Sequence, residues 1–354
     1  MRLVHLIAPI FLFNLSAFAT TQAKMTLVTE LPKNEPHNGL FAHGPYVFTG
    51  VSRQEEGEKH HLDVFDAASL AKAGRFDLQH SVLEIKPFGA SAVLVLGKSA
   101  SPYWQSHFSI VDWASGTLKV RLFSIPEEVM AETFAGDPTN LFFNEPGSQG
   151  VYRWSSNRLS TVAANAISGP GVMQYRSGNL WILERGGLFN FGDENLVLID
   201  TRSGNLSRPF DKSNIIGAAD MTLTADGKYI AITMGAGKPV VKLYDLQTRA
   251  FYAGLSLDHW GDRIATFGKC LVTLSREDKT LEFSRIDEAS LVPMASWSLS
   301  DAGDRLKSPQ TLTIDEANKR VIVRSAYPCP TCTATQSSVF AAEDDGSTFA
   351  ACQN

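Results

Sequence analysis

The chain has 354 residues, 44% of them hydrophobic, and a formal net charge of −5. Such a length and apolar content support one large core or two domains, while the acidic balance and the lack of a lysine or arginine run argue against a polyanion-binding surface, so nucleic acid is not an expected partner. The sequence also lacks a GxSxG elbow, HExxH, a P-loop, a dinucleotide fingerprint and an EF-hand loop, which leaves the commonest catalytic classes without their motif.

The N-terminus carries Arg2, the apolar run Leu3 to Leu15, then Ala17 and Ala19 ahead of Thr20. This reads as a secretory signal peptide within residues 1–23, with cleavage after Ala19 or after Ala23 equally compatible with the small-x-small rule. The apolar run is too short to span a bilayer, no later stretch is long enough, and no lipobox cysteine follows. A periplasmic or secreted protein without a membrane anchor is expected, with residues 24–354 as its single domain.

From there an alternating apolar strand runs seven times into an acidic or polar turn and a second strand. The turn anchors are Asp66, Asp112, Trp154, Asp200, Asp245, Asp287 and Glu343. Consecutive anchors lie about 42 to 46 residues apart, the length of a four-stranded blade, with about ten extra residues before the last. Strand-only units of this period cannot bury both faces alone, and they predict an all-β, seven-bladed β-propeller of four-stranded antiparallel blades. The fifth unit displays the pattern best: inner strand A over Ala219 to Thr224, strand B over Tyr229 to Met234, C over Val240 to Tyr244 and D over Ala250 to Leu257. A helical turn is expected only near Pro126 to Ala131. Met25 to Leu31 resembles a D strand yet precedes the first A strand, so it is expected to complete the last blade and close the ring. The tail Ser347 to Asn354 competes for that position or adds an outer strand.

The stretches ADGKYIAI (Ala225 to Ile232), VKLYDLQTRA (Val241 to Ala250) and LDVFDAASL (Leu62 to Leu70) carry a family likeness. On these residues the chain resembles the secreted bacterial seven-bladed β-propellers of the YVTN/YncE-like group, and it is similar to the amine dehydrogenase heavy-chain propellers. The resemblance covers most of the chain beyond the leader but consists of blade-building motifs, so it implies architecture rather than chemistry. The second likeness implies a partner subunit that supports a smaller, cofactor-bearing chain.

In such a ring the B–C loops and D–A connections share one face, around the channel mouth. The B–C loops are long at Ser52 to His61, Gly97 to His107, Glu184 to Glu194 and Tyr327 to Gln336, whereas the opposite turns are tight. The loop-rich face is therefore the expected binding face. Histidines gather there too: His37 and His80 ahead of inner strands, His60, His61 and His107 at long loops, and His259 in a D–A connection, with His43 on the far face. Either polar residues simply populate loops, or some of these imidazoles bind an anion, a metal or a partner. Around the channel the inner strands offer Glu84, Glu132, Asp220, Asp262, Arg263 and Gln310, a mixed set that serves either solvation or acid–base chemistry. Trp104, beside Tyr103 in the second blade's loop, either anchors a ligand or folds back over the blade.

Four cysteines in an exported chain point to disulfides, and four allow three pairings. Cys329–Cys332 is favoured as local, and Cys270–Cys352 as a tie between the tail and a neighbouring blade. If reduced, Cys329 and Cys332 would meet His60 and His61 across the ring closure in a Cys2His2 set suited to a divalent metal. The functional expectation is an exported scaffold that binds a protein partner or small ligand on its loop-rich face. The alternatives are a channel-mouth hydrolase, lactonase-like and metal-assisted, and the propeller subunit of a periplasmic dehydrogenase.

Overall fold

The computed structural model describes residues 20–31, 39–51, 60–99, 105–123, 130–145, 149–164, 167, 171–184, 195–209, 215, 217–234, 240–252, 254–256, 261–287, 290–306, 308–328 and 335–353. Seven antiparallel sheets follow one another along the chain, each with its first strand innermost. The inner strands are Leu40–His43, Glu84–Pro87, Phe134–Asp137, Gly171–Arg176, Ala218–Leu223, Gly261–Phe267 and Ser308–Asp315. Apolar residues on both faces of each sheet pack against the next, giving seven core clusters, one per seam between neighbouring blades. The seam between the seventh and first blades, with Ile322, Val339 and Ala341 against Val47, Val51 and Phe65, closes the circle. This is the expected seven-bladed β-propeller.

Closure comes from the N-terminal side. Lys24–Leu31 pairs antiparallel with Thr335–Glu343 as the outer strand of the seventh blade, as its sequence predicts. The tail does not compete for that position. Ser347–Gln353 is a short α-helix, entered through Asp344 and Asp345, whose carboxylates accept the backbone N–H groups of Gly346, Ser347 and Thr348. With the outer-strand position already filled, the tail turns inward. Phe349 and Cys352 are buried against Phe267, Phe283 and Trp297 between the sixth and seventh blades, and Cys352 is bonded to Cys270, the expected pairing. The Cys329–Cys332 expectation lies outside the described residues.

Three of the repeated acidic anchors build turns. Asp66 Oδ1 accepts the Ser69 amide (2.8 Å) and hydroxyl (2.7 Å). Asp200 and Asp245 do the same for the amides two and three residues on. Such Asx turns end strand C and launch strand D by purely local chemistry. Trp154 and Glu343 depart from this pattern. At Trp154 the turn is carried by Ser156 and Asn157, both in the left-handed region (φ 49° and 58°), and the indole packs in the seam between the second and third blades. Glu343 precedes no C–D turn, because its D strand comes from the N-terminal side; it pairs with Lys24 at 2.9 Å instead. The fifth blade's outer strand is also shorter than its sequence predicts, broken into Ala250–Phe251 and Leu255–Ser256.

Candidate functional site

The inner strands enclose a channel of about 1310 Å³. Its two ends differ in chemistry. At the B–C end stand Lys98, Glu132 and Arg276, followed inward by Asp220, Arg263 and Gln310; at the A–B end stand His43, Asp315 and Glu316. Ring closure brings Asp220, Arg263 and Gln310 on inner strands, and Glu132 just ahead of the third inner strand, to one cavity. Lys98 and Arg276 join them unannounced, since each lies at the end of a strand B whose reach into the mouth is a tertiary matter.

Around the ring the inner strands fall into two kinds. Those of the first, third and fourth blades pair with strand B in unbroken register. Those of the fifth, sixth and seventh each shift register once, leaving Ala219, Asp262 and Gln310 without a partner residue on strand B. A bulge at this place bends the strand and re-aims neighbouring side chains, and such bulges are over-represented beside functional sites. The fifth, sixth and seventh blades carry one at the same depth, near the B–C end, and the second blade has its own at the start of its inner strand, where the Leu83 amide donates to the carbonyl of Leu96, the residue that pairs with Glu84. Asp220, next to the first bulge, accepts the Met221 amide at 3.0 Å and the Ile264 amide of the sixth blade at 3.3 Å. Gln310, itself a bulged residue, lines the channel, and its Oε1 is buried with no hydrogen-bond partner.

The opposite wall is braced. Lys86 Nζ lies 2.9 Å from Glu84 Oε1 and donates to the Phe134 carbonyl of the third blade and, at 3.0 Å, to the Met173 carbonyl of the fourth. Glu84 Oε2 accepts the Thr133 hydroxyl at 2.9 Å and the Phe134 amide at 3.2 Å. One ion pair on the second blade therefore ties three inner strands together.

The histidines separate into three settings. His80 is fully buried: its Nδ1 donates to the Ser81 carbonyl and its Nε2 lies against the Ser109 hydroxyl, both at 2.7 Å. Its ring stacks on His107 at 6.0 Å. Burial, helped by the neighbouring His107 and His60, pushes the His80 imidazole down to about 4, and burial lowers His107 as well. Room for this cluster depends on Gly97, where a Cβ would stand 2.3 Å from His80 Nδ1 and 1.6 Å from the Ser81 carbonyl oxygen. His61 is turned toward Asp63, with Nε2 at 3.7 Å from Oδ2. Burial pushes the Asp63 carboxyl up, but hydrogen bonds from His61, Arg75 and Lys72 outweigh it and hold the group far below its ordinary range. Adjacent strand residues face opposite sides of a sheet, so His60 and His61 do not point toward one common ion. Among the described residues no group of three or more His, Cys, Asp or Glu side chains is placed to hold a metal. His43, on the far face, donates to the Gly89 carbonyl at 2.8 Å. His37, Trp104, His259, Cys329 and Cys332 lie outside the described residues.

Sequence reading also missed Arg324, which is fully buried in the seventh blade and donates to the Gly50 carbonyl of the first at 3.2 Å. Burial pushes its guanidinium down to about 9. Nothing local distinguishes it from a surface arginine on an alternating strand.

No family model matches the chain, and no curated protein sequence matches it. Solved structures do match in fold. A chain of the mitotic checkpoint complex superposes with a TM-score of 0.64 at 12% identity, over 97% of each chain. The U3-55K protein gives 0.61 at 10% identity, over 89% of this chain and 98% of that one. A candidate 6-phosphogluconolactonase from Bacteroides fragilis gives 0.51 at 12% identity, over 74% and 83%. At such identities the likeness carries the propeller architecture alone.

Proposed function

We propose that this chain is an exported binding propeller that takes a polar ligand, a small molecule or an inserted segment of a protein partner, at the channel mouth on its loop-rich face. The observation that carries this reading is the run of three bulges at Ala219, Asp262 and Gln310. They border a cavity whose mouth presents both carboxylates and cations. A lining of mixed sign favours a zwitterionic or hydrogen-bonding ligand over a simple anion or cation. Gln310 lines the channel, and its Oε1 is without a hydrogen-bond partner in the folded chain.

Binding is favoured over hydrolysis because two of the channel carboxylates, Glu84 and Asp220, are already engaged. Glu84 is paired with Lys86 and accepts two further hydrogen bonds, and Asp220 accepts two backbone amides. A general base needs free capacity toward the proton it removes. The leader-like N-terminus and the Cys270–Cys352 bond support an oxidising, extracytoplasmic location. No helix among the described residues is long and apolar enough to cross a membrane.

The test is native mass spectrometry of protein purified from its own compartment. The wild type is expected to carry a bound small molecule or partner chain that an Arg263→Ala/Gln310→Ala variant loses and a His43→Ala variant keeps. Retention by the mouth variant, or loss from the far-face variant, would overturn the assignment.

A further inference from the structure

The residues between the two possible leader cleavage points are part of the fold. Thr20–Gln22 runs parallel to Ser296–Ser298 and covers the outer edge of the sixth blade, with Thr20 opposite Ser296 and Gln22 opposite Ser298. The Gln22 side chain donates to the Ser298 carbonyl at 3.2 Å and accepts from the Ser300 hydroxyl at 3.1 Å. The Ala23 amide donates to the same Ser298 carbonyl at 3.1 Å. Ala23 itself is fully buried in the cluster that holds Trp297, Leu299, Leu306 and Phe349. Lys24 then starts the strand that closes the seventh blade. Residues 20–23 therefore form a strap from the edge of the sixth blade to the closing strand of the seventh, over the seam that also contains the disulfide.

The two cleavage points have opposite consequences for this strap. Hydrolysis after Ala23 would remove the edge strand, empty the Ala23 position in the core and place a charged α-amino group on Lys24 beside the gap. An uncovered strand edge invites pairing with other chains. Hydrolysis after Ala19 keeps every one of these contacts. Its new amino group would fall on Thr20, which is exposed. Ala17 and Ala19 supply the small residues that the processing enzyme needs at that bond.

We propose that the leader is removed by a signal peptidase at the Ala19–Thr20 bond, so that the mature protein begins at Thr20 and uses residues 20–23 as a structural strap. One water is consumed, leaving a carboxylate on Ala19 and the amino group on Thr20. The inference rests on the export reading above, and the experiment separates the two. The full chain is expressed in a bacterium with a working export pathway, and the envelope and cytoplasmic fractions are analysed by intact mass and N-terminal sequencing. The expected result is an extracytoplasmic protein starting at Thr20. An exported protein starting at Lys24 overturns the cleavage assignment alone, and an unprocessed chain confined to the cytoplasm overturns export and this inference together. In a second arm, purified protein starting at Lys24 is compared with protein starting at Thr20. The shorter form is expected to melt about 3–6 °C lower and to self-associate more; equal melting and equal self-association would overturn the strap.

Discussion

The two halves of the ring solve the same packing problem in different ways. Between the second and fourth blades, the Glu84–Lys86 pair reaches across the channel wall and fixes three inner strands at once. Between the fifth and seventh, three successive inner strands are bulged, and neighbours are joined by bonds such as Asp220 to the Ile264 amide and Thr266 to the Leu223 carbonyl. That second half is held at its periphery, by the tail helix, the Cys270–Cys352 bond and the strap over the sixth blade. The contrast teaches that a ring can loosen its inner wall where a ligand is to sit, provided the outer wall is fastened.

The largest effect should come from unfastening that outer wall. The disulfide joins positions 82 residues apart, and removing a cross-link over a loop of that size costs about 4 kcal/mol in the chain-entropy account. Cys352→Ser is expected to lower stability by that order in denaturant titration and to weaken ligand retention in native mass spectrometry, because the bulged strands then lose their backing. Full stability in the serine variant would mean that the tail holds without its covalent tie.

Next in size is a pH effect on the braced side. His80 ordinarily titrates at 6.5 and is pushed down to about 4 in the fold. A depressed folded value means that the folded state prefers the neutral ring. Its contribution is complete above pH 6.5 and is lost as pH falls toward 4, by about 3 kcal/mol across that window. Denaturant titrations of the wild type between pH 7 and 4 should show this slope, and His80→Asn should flatten it. An unchanged slope in the variant would assign the acid sensitivity to other groups.

How much of this was legible beforehand depends on how local each cause is. The Asp66, Asp200 and Asp245 turns could be read because an aspartate accepts amides two and three residues away, and that chemistry needs no partner blade. Cys270–Cys352 was readable because a ring places a tail beside its last blades. The tail helix was not, since a seven-residue segment is too short for its period to separate helix from strand. Asp262 and Gln310 were recognised as polar inner-strand residues, but their loss of a pairing partner is a one-residue register shift that sequence does not record. Lys86 escaped altogether: its Met173 partner lies 87 residues away, and only the closed ring makes that distance short.

Lys86 supplies the next, smaller test. Lys86→Met keeps most of the side-chain bulk and the contact with Phe134 but removes the charge that Glu84 faces and the donor to two carbonyls. Both side chains retain some exposure, 17% and 26%, so water can partly replace the lost partner. A loss of about 2 kcal/mol is expected, with ligand retention unchanged, since the brace lies opposite the bulges of the fifth to seventh blades. A variant that kept its stability but released ligand would invert the proposed division of the ring.

The smallest stability effect is expected at the bulged site itself. Gln310 Oε1 makes no hydrogen bond in the folded chain, so Gln310→Ala removes a buried polar atom that contributes nothing to cohesion. Relieving an unsatisfied acceptor offsets the lost packing, and the net change should stay below about 1 kcal/mol. Ligand retention should nevertheless fall, because the side chain lines the channel where a ligand would sit. A side chain whose removal leaves folding intact while emptying the site is doing recognition. If Gln310→Ala instead destabilised the protein as much as Lys86→Met, the bulged half would be a second brace, and the channel mouth would lose its claim to be the binding site.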